Sequence, residues 1–180
     1  MAEAANGKEP FILFAIKDTV FGVRSREVRH IEMVEQITPV PNAARFIDGV
    51  VFTRGQVVPA VNLRARFGLD RVPYDLRTRF LVLQAEDRVL GLIVDECREF
   101  VSLDQGAILP PPEEIAGQSG KFLEGIVRQA DRLILILNVA EIIKHSGAEE
   151  LAGLADIPAA LKKTLTAGET SALRDAPAHA

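Results

Sequence analysis

Few groupings of side chains in this sequence could run a reaction. Asp95, Glu96 and Glu99 bring three carboxylates together, and paired carboxylates can share general acid and base work. They fall at the end of an apolar run, where adjacent acids usually form a solvated strand end. "GQSGK" at 117–121 hints at a phosphate-cradling loop. That loop needs glycine five residues before the Gly-Lys pair and Ser or Thr after it, where this chain has Ile115 and Phe122. His30, His145, His179 and Cys97 show no metal-ligand spacing. No G-x-S-x-G nucleophile elbow occurs, and no dinucleotide-binding glycine run precedes a helix. The chain therefore reads as non-enzymatic, with no metal or cofactor expected, and its polar chemistry is that of recognition.

Recognition directs attention to "VVFTRGQVVPAVNLRARFGL", residues 50–69. Two apolar runs flank Thr53-Arg54-Gly55-Gln56, which reads as a hairpin with Gly55 supplying a positive φ. Arg54 then stands at the tip, in water, with no acidic residue nearby in sequence. Between Arg54 and Arg79 there are six arginines against Asp70 and Asp75. On pattern alone these are solvated surface residues whose long stems cover apolar area.

The elements around that turn occur twice. "FILFAIKDTVFGV" from Phe11 matches "FLVLQAEDRVLGL" from Phe80 at an offset of 69, aligning Gly22 with Gly91. "DGVVFTRGQVVPAVNL" from Asp48 matches "EGIVRQADRLILILNV" from Glu124 at an offset of 76, aligning Gly49 with Gly125 and Asn62 with Asn138. Arg54 is matched by Ala130 and Gly55 by Asp131. A connector rich in proline and glycine, "LPPPEEIAGQSGK", lengthens the second half. The copies span about 11–64 and 80–139, each with four or five short strands at the spacing of a small barrel or sandwich.

In the first strand Phe11, Leu13 and Ala15 occupy one face and Ile12, Phe14 and Ile16 the other. Both faces are apolar, which predicts a barrel interior on one side and lobe-to-lobe packing on the other. Helices are few. "SREVRHIEMV" spaces Val28, Ile31 and Val34 by threes after Ser25 in the cap position, predicting a short helix. Asn138 with Glu141 resembles a capping box opening a second helix through Ile142 and Ile143. Residues 1–9 read as a flexible arm, 10–145 as the ordered body, and 146–180 as a tail, partly helical or disordered.

Composition narrows the partners. A formal net charge of -4 argues against nucleic acid. The polar N-terminus and the lack of an 18-residue apolar run predict a cytoplasmic chain that does not insert into a membrane. A lone cysteine cannot form an internal disulfide, and its apolar setting in "VLGLIVDEC" predicts a buried small hydrophobe.

Taken together, "FILFAI", "EVRHIEMV", "ITPVPNAARFIDGVVFTRGQVVPAVNLRARFGL", "TRFLVLQAEDRVLGLIVDECREFV", "FLEGIV" and "RLILILNVAEII" resemble the CheW-type coupling proteins of bacterial chemosensory arrays. The resemblance runs from Phe11 to His145 and centres on the signature run from Gly49 to Arg64. It implies a mainly β fold of two intertwined five-stranded SH3-like β-barrels with a few short helices. It also implies a non-enzymatic adaptor in chemotaxis signal transduction. The implied partners are the regulatory domain of a CheA-type histidine kinase, the cytoplasmic tip of a methyl-accepting chemoreceptor, and other CheW-like proteins. The implied contact residues are Arg54, Gly55, Gly49, Val28, His30 and Gly91.

Four positions depart from the family pattern: Phe52-Thr53 replaces Asn-Leu, Asn62 replaces Asp, and His30 stands where an acid is common. These departures suggest a scaffold tuned to its own pathway, such as surface motility or another output. A small-ligand sensor using the cleft between lobes is the rival reading.

Overall fold

A computed structural model describes residues 7–114 and 120–145. The predicted tail, and the arm up to residue 6, lie outside the described residues. The elements in chain order are β1 (Lys8–Ile16), β2 (Thr19–Arg24), β3 (Val28–Met33), β4 (Ile47–Thr53), β5 (Gln56–Asn62), α1 (Leu63–Arg66), β6 (Arg79–Ala85), β7 (Arg88–Val94), β8 (Glu96–Asp104), β9 (Leu123–Gln129), β10 (Arg132–Leu137) and α2 (Val139–Lys144). Short 3-10 turns cover Ser25–Glu27, Gln105–Ala107 and Gly120–Phe122. β1 begins at Lys8, inside the stretch expected as an arm.

The strands form two five-stranded sheets, in the orders β8-β1-β2-β10-β9 and β3-β6-β7-β5-β4. Shifting each strand by five places in chain order converts one sheet into the other, which is the sequence repeat in three dimensions. The halves are interleaved: the first sheet joins β1 and β2 to β8, β9 and β10, and the second joins β3, β4 and β5 to β6 and β7. Each exchange is stitched by one parallel pairing, β2 with β10 and β5 with β7, while the other strand pairs are antiparallel.

The sheets then close into barrels. Thr38, beyond β3, exchanges backbone hydrogen bonds of 2.9 and 2.8 Å with Val50 of β4. Leu109, beyond β8, does the same with Ile126 of β9 at 2.9 and 2.8 Å. Closure satisfies backbone groups that an open edge would leave bare. Gly49 permits the first closure, since a Cβ on its backbone (φ 146°) would sit 2.6 Å from the Thr38 carbonyl carbon. The result is the expected pair of intertwined five-stranded barrels.

Each barrel has its own interior. Phe11, Leu13, Val20, Leu103, Val127, Ile134 and Ile136 fill one. Val58, Ala60, Phe80, Val82 and Ile93 fill the other. The opposite face of β1 is also covered: Phe14 stacks on Phe21 at 5.8 Å, and Phe21 on Phe67, just past α1, at 5.3 Å. The two-faced apolar pattern of β1 thus follows from a strand packed on both sides. Each such side chain contributes roughly 2 kcal/mol of transfer free energy.

The helix predicted over "SREVRHIEMV" is not formed. Ser25–Glu27 make one 3-10 turn with no side-chain cap, and Val28–Met33 continue as β3, paired with β6. Burial alternates along β3, with Val28, His30 and Glu32 half-buried and Arg29, Ile31 and Met33 exposed. Pairing with the otherwise open edge of β6 outweighs a weak local preference for helix. The second helix does form. Asn138 Oδ1 accepts from the Glu141 amide at 3.1 Å, and its counterpart Asn62 caps α1 by accepting from the Ala65 amide at 3.2 Å.

Candidate partner-binding surface

Arg54 and Gly55 form the tip of the β4–β5 hairpin between the paired residues Thr53 and Gln56, and both are exposed. Both residues of the turn are left-handed, Arg54 at φ 48° and Gly55 at φ 82°. This is the primed turn whose twist suits a two-residue hairpin. Gly55 accepts that conformation freely, whereas a β-carbon at Arg54 raises its energy. Among the described residues Arg54 makes no hydrogen bond or ion pair, so its guanidinium faces solvent.

Beside the turn lies a small polar seam. Thr53 Oγ1 donates to Glu32 Oε2 at 3.0 Å, and His30 Nε2 lies 3.5 Å from both Thr53 Oγ1 and Glu32 Oε2. β3 and β4 are the two outer strands of their sheet, so these contacts tie its free margins together. Burial lowers the His30 pKa from its ordinary value, and the nearby Arg54 charge pushes it the same way. Glu32 opposes them.

The six predicted contact residues therefore divide. Arg54, Gly55 and His30 come together at one end of the second barrel, and Val28 shares the half-buried face of β3 with His30. Gly49, at the other end of β4, is buried. Gly91 is buried in β7, where an added Cβ would collide with the Phe80 ring. These two glycines shape the barrel and present no side chain outward.

Sequence reasoning missed the apolar residues around the seam. Ile31 and Met33 on β3, Phe52 on β4 and Val57 on β5 are exposed, and Phe52 pairs directly with Val57. The signal was present in "RHIEMV", whose alternation marks outward-facing Ile31 and Met33 once it is read as a strand. The surface at this end combines an unpaired cation with bare apolar side chains, a composition suited to protein contacts.

The remaining chemistry is internal. Asp95 and Glu96 do not act together: Asp95 accepts from Arg64 Nη2 at 2.6 Å, Arg64 Nε at 2.8 Å and the Lys17 amide at 2.7 Å. Burial pushes the Asp95 carboxyl up, but Arg64 and the Lys17 amide outweigh it and hold the group below its ordinary pKa. Glu96 pairs with Arg98, and Glu99 with Arg132. Cys97 is half-buried rather than fully buried as expected; burial raises the pKa of its thiol, and its Sγ donates to the Leu13 carbonyl oxygen at 3.7 Å. Among the described residues no cluster of His, Cys, Asp and Glu could hold a metal ion, and no helix is long and apolar enough to cross a membrane.

Comparison with known proteins places this geometry. The CheW-like domain family model matches residues 10–147. The chemotaxis protein CheW of Helicobacter pylori is 34% identical, over 74% of this chain and 81% of its own length. That of Klebsiella aerogenes is 29% identical, over 80% and 85%. The crystal structure of the scaffolding protein TtCheW from Thermoanaerobacter tengcongensis superposes with a TM-score of 0.68 at 27% identity, covering 72% of this chain and 88% of that one. Matched along residues 10–147, with its repeated barrels and its arginine-bearing hairpin, the chain belongs to the CheW family of non-enzymatic chemotaxis scaffolds.

Proposed function

We propose that the chain acts in the cytoplasm as the adaptor between the tip of a methyl-accepting chemoreceptor and the regulatory domain of a CheA-type histidine kinase. The Arg54 turn carries this reading. A non-glycine residue is held in a left-handed conformation, points a free cation into solvent, and stands beside exposed Phe52, Val57, Ile31 and Met33. Bare apolar area supplies affinity, and a fixed charge selects the partner. His30 and Val28 set the surface of β3 beside that charge, whereas Gly49 and Gly91 support partner binding only by keeping the barrel closed. The Phe52-Thr53 pair next to Arg54 favours a scaffold tuned to its own pathway.

Reconstitution tests this directly. A receptor signalling fragment and a CheA-type kinase are assayed for kinase activity with the wild-type chain and with Arg54→Glu. The adaptor reading predicts receptor control of the kinase with wild type and its loss with the variant, while circular dichroism stays unchanged. Control that persists undiminished with Arg54→Glu rules out the assigned surface.

The small-ligand reading expects a cleft between the lobes; a charged cleft of about 540 Å³ lies instead on the first barrel, lined by Glu9, Arg24, Arg26, Gln105, Ile108, Pro110 and Glu124. Its charges already pair with one another, Arg24 with Glu9 and Glu124, and Arg26 with Glu9. Saturable thermal stabilisation by a metabolite would revive that reading.

A further inference from the structure

The half-buried arginines of the described residues follow one rule with one exception. Arg24 pairs with Glu9 and Glu124, Arg64 with Asp95, and Arg132 with Glu99, while Arg79 donates to the carbonyl oxygens of Leu76 and Thr78. Arg66, the last residue of α1, has no hydrogen-bond acceptor among the described residues, and its Nε is buried. Instead its guanidinium carbon lies 4.7 Å from the centre of the Phe46 ring and 4.3 Å from that of Phe122.

Those two rings are counterparts in the repeat. "RFIDG" at 45–49 and "KFLEG" at 121–125 align at the same offset of 76, and each phenylalanine carbonyl accepts from its own capping asparagine, Phe46 from Asn62 at 2.7 Å and Phe122 from Asn138 at 2.8 Å. Each ring follows a cation, Arg45 or Lys121, that is exposed. Lys121 Nζ lies 5.2 Å from the Phe122 ring centre. The carboxylates closest in sequence are engaged elsewhere: Asp48 by Arg71, Tyr74 and Asn62, and Glu124 by Arg24.

Two aromatic rings stabilise a guanidinium but accept none of its N–H groups in the ring plane. A half-buried guanidinium whose donors lack acceptors among the described residues suits a carboxylate, which can take two parallel hydrogen bonds from its terminal nitrogens. The exposed Lys121 near the Phe122 ring, and the exposed Arg45 next to Phe46 in the chain, suit more than one carboxylate. We propose that Arg66, framed by Phe46 and Phe122 and flanked by Arg45 and Lys121, is a docking site for an acidic segment of a partner protein, separate from the Arg54 surface.

Hexaglutamate is the probe, titrated into the full-length chain at constant ionic strength while the side-chain Nε–H resonances are followed by NMR. The proposal predicts a saturable shift of the Arg66 Nε–H signal. It further predicts affinity at least tenfold weaker in Arg66→Gln, unchanged within twofold in the remote surface variant Arg88→Gln. No saturable shift in the wild-type chain overturns it without need of any variant. Equal affinity for inorganic phosphate overturns it in favour of a free-anion site. Full binding by an Arg66→Gln variant that has merely lost thermal stability makes the residue a packing staple only, and dependence of the shift on protein concentration alone assigns the face to self-association.

Discussion

Thr53 Oγ1 reaches Glu32 Oε2 at 3.0 Å, so the last residue of β4 is bonded to the strand at the opposite margin of its own sheet. The seam it makes stands directly beneath the Arg54 turn. Replacing Thr53 with valine keeps the shape and removes the donor. Loss of one hydrogen bond to a charged group predicts destabilisation by about 1–2 kcal/mol, read from urea unfolding. A Glu32→Gln, Thr53→Val double mutant should then lose less than the sum of the single changes. Strict additivity would show that the contact carries no weight.

Arg54 should trade stability against recognition. Arg54→Gly relieves the left-handed conformation at φ 48°, and a gain of about 0.5–1 kcal/mol is expected. The same variant should lose receptor control of the kinase in the reconstituted system. A variant that is less stable than wild type would contradict the observed turn geometry.

Gly49 and Gly91 should behave as packing residues. Gly49→Ala pushes a methyl group into the Thr38 carbonyl, which belongs to the bridge closing the barrel. Backbone cannot yield as a side chain does, so a loss of about 2 kcal/mol or more is expected. Gly91→Ala forces the buried Phe80 ring to move, at a cost of about 1–3 kcal/mol. Partner binding by either variant should fall only as far as the folded fraction falls. Wild-type stability combined with abolished binding would make them contact residues after all.

Acid should weaken the fold through His30. Its folded pKa lies below the ordinary value near 6.5, so the unfolded chain binds the proton more readily. The neutral imidazole therefore contributes stability above that unfolded value, and the contribution is lost as pH falls through it towards the folded pKa. Urea midpoints measured downward from pH 7 should decline, and His30→Gln should flatten the slope in that range. Asp95 acts at lower pH: its depressed folded pKa makes the ion pair with Arg64 stabilising above the ordinary carboxylate range and lost below it. Asp95→Asn should remove that second acid limb.

The two capping asparagines offer a matched pair. Asn138→Ala and Asn62→Ala each remove one side-chain acceptor from a helix N-terminus, and each should cost about 1 kcal/mol. Asn62 also donates to Asp48 at 3.0 Å, so its loss should be the larger. Equal thermal shifts would mean that the Asp48 bond adds nothing.

Much of this was readable from residues alone. Apolar positions on both faces of β1 announced a strand packed on two sides, and the offsets of 69 and 76 exposed the repeat. "SREVRHIEMV" misled because threefold spacing and strict alternation coexist there, and only the open edge of β6 decides between them. The Arg54 turn could be located by its glycine, yet the seam beside it could not. Glu32 and Thr53 are far apart in the chain and meet only because the sheet closes on itself. Arg66 gave no signal either, because its missing acceptor stands out only once the other half-buried arginines are seen to have theirs.

Interleaved strands also dictate an order of assembly on the ribosome. The sheet built from β3 to β7 has all its members once Val94 has emerged, whereas the β1–β2 hairpin, synthesised first, must wait for β10 at Leu137. The nascent chain therefore carries an incomplete, strongly apolar hairpin through most of its synthesis, with an edge that invites mispairing. Neither half of the gene encodes a unit able to close alone, so a chain cut between them yields two fragments that can recover the barrels only by finding each other.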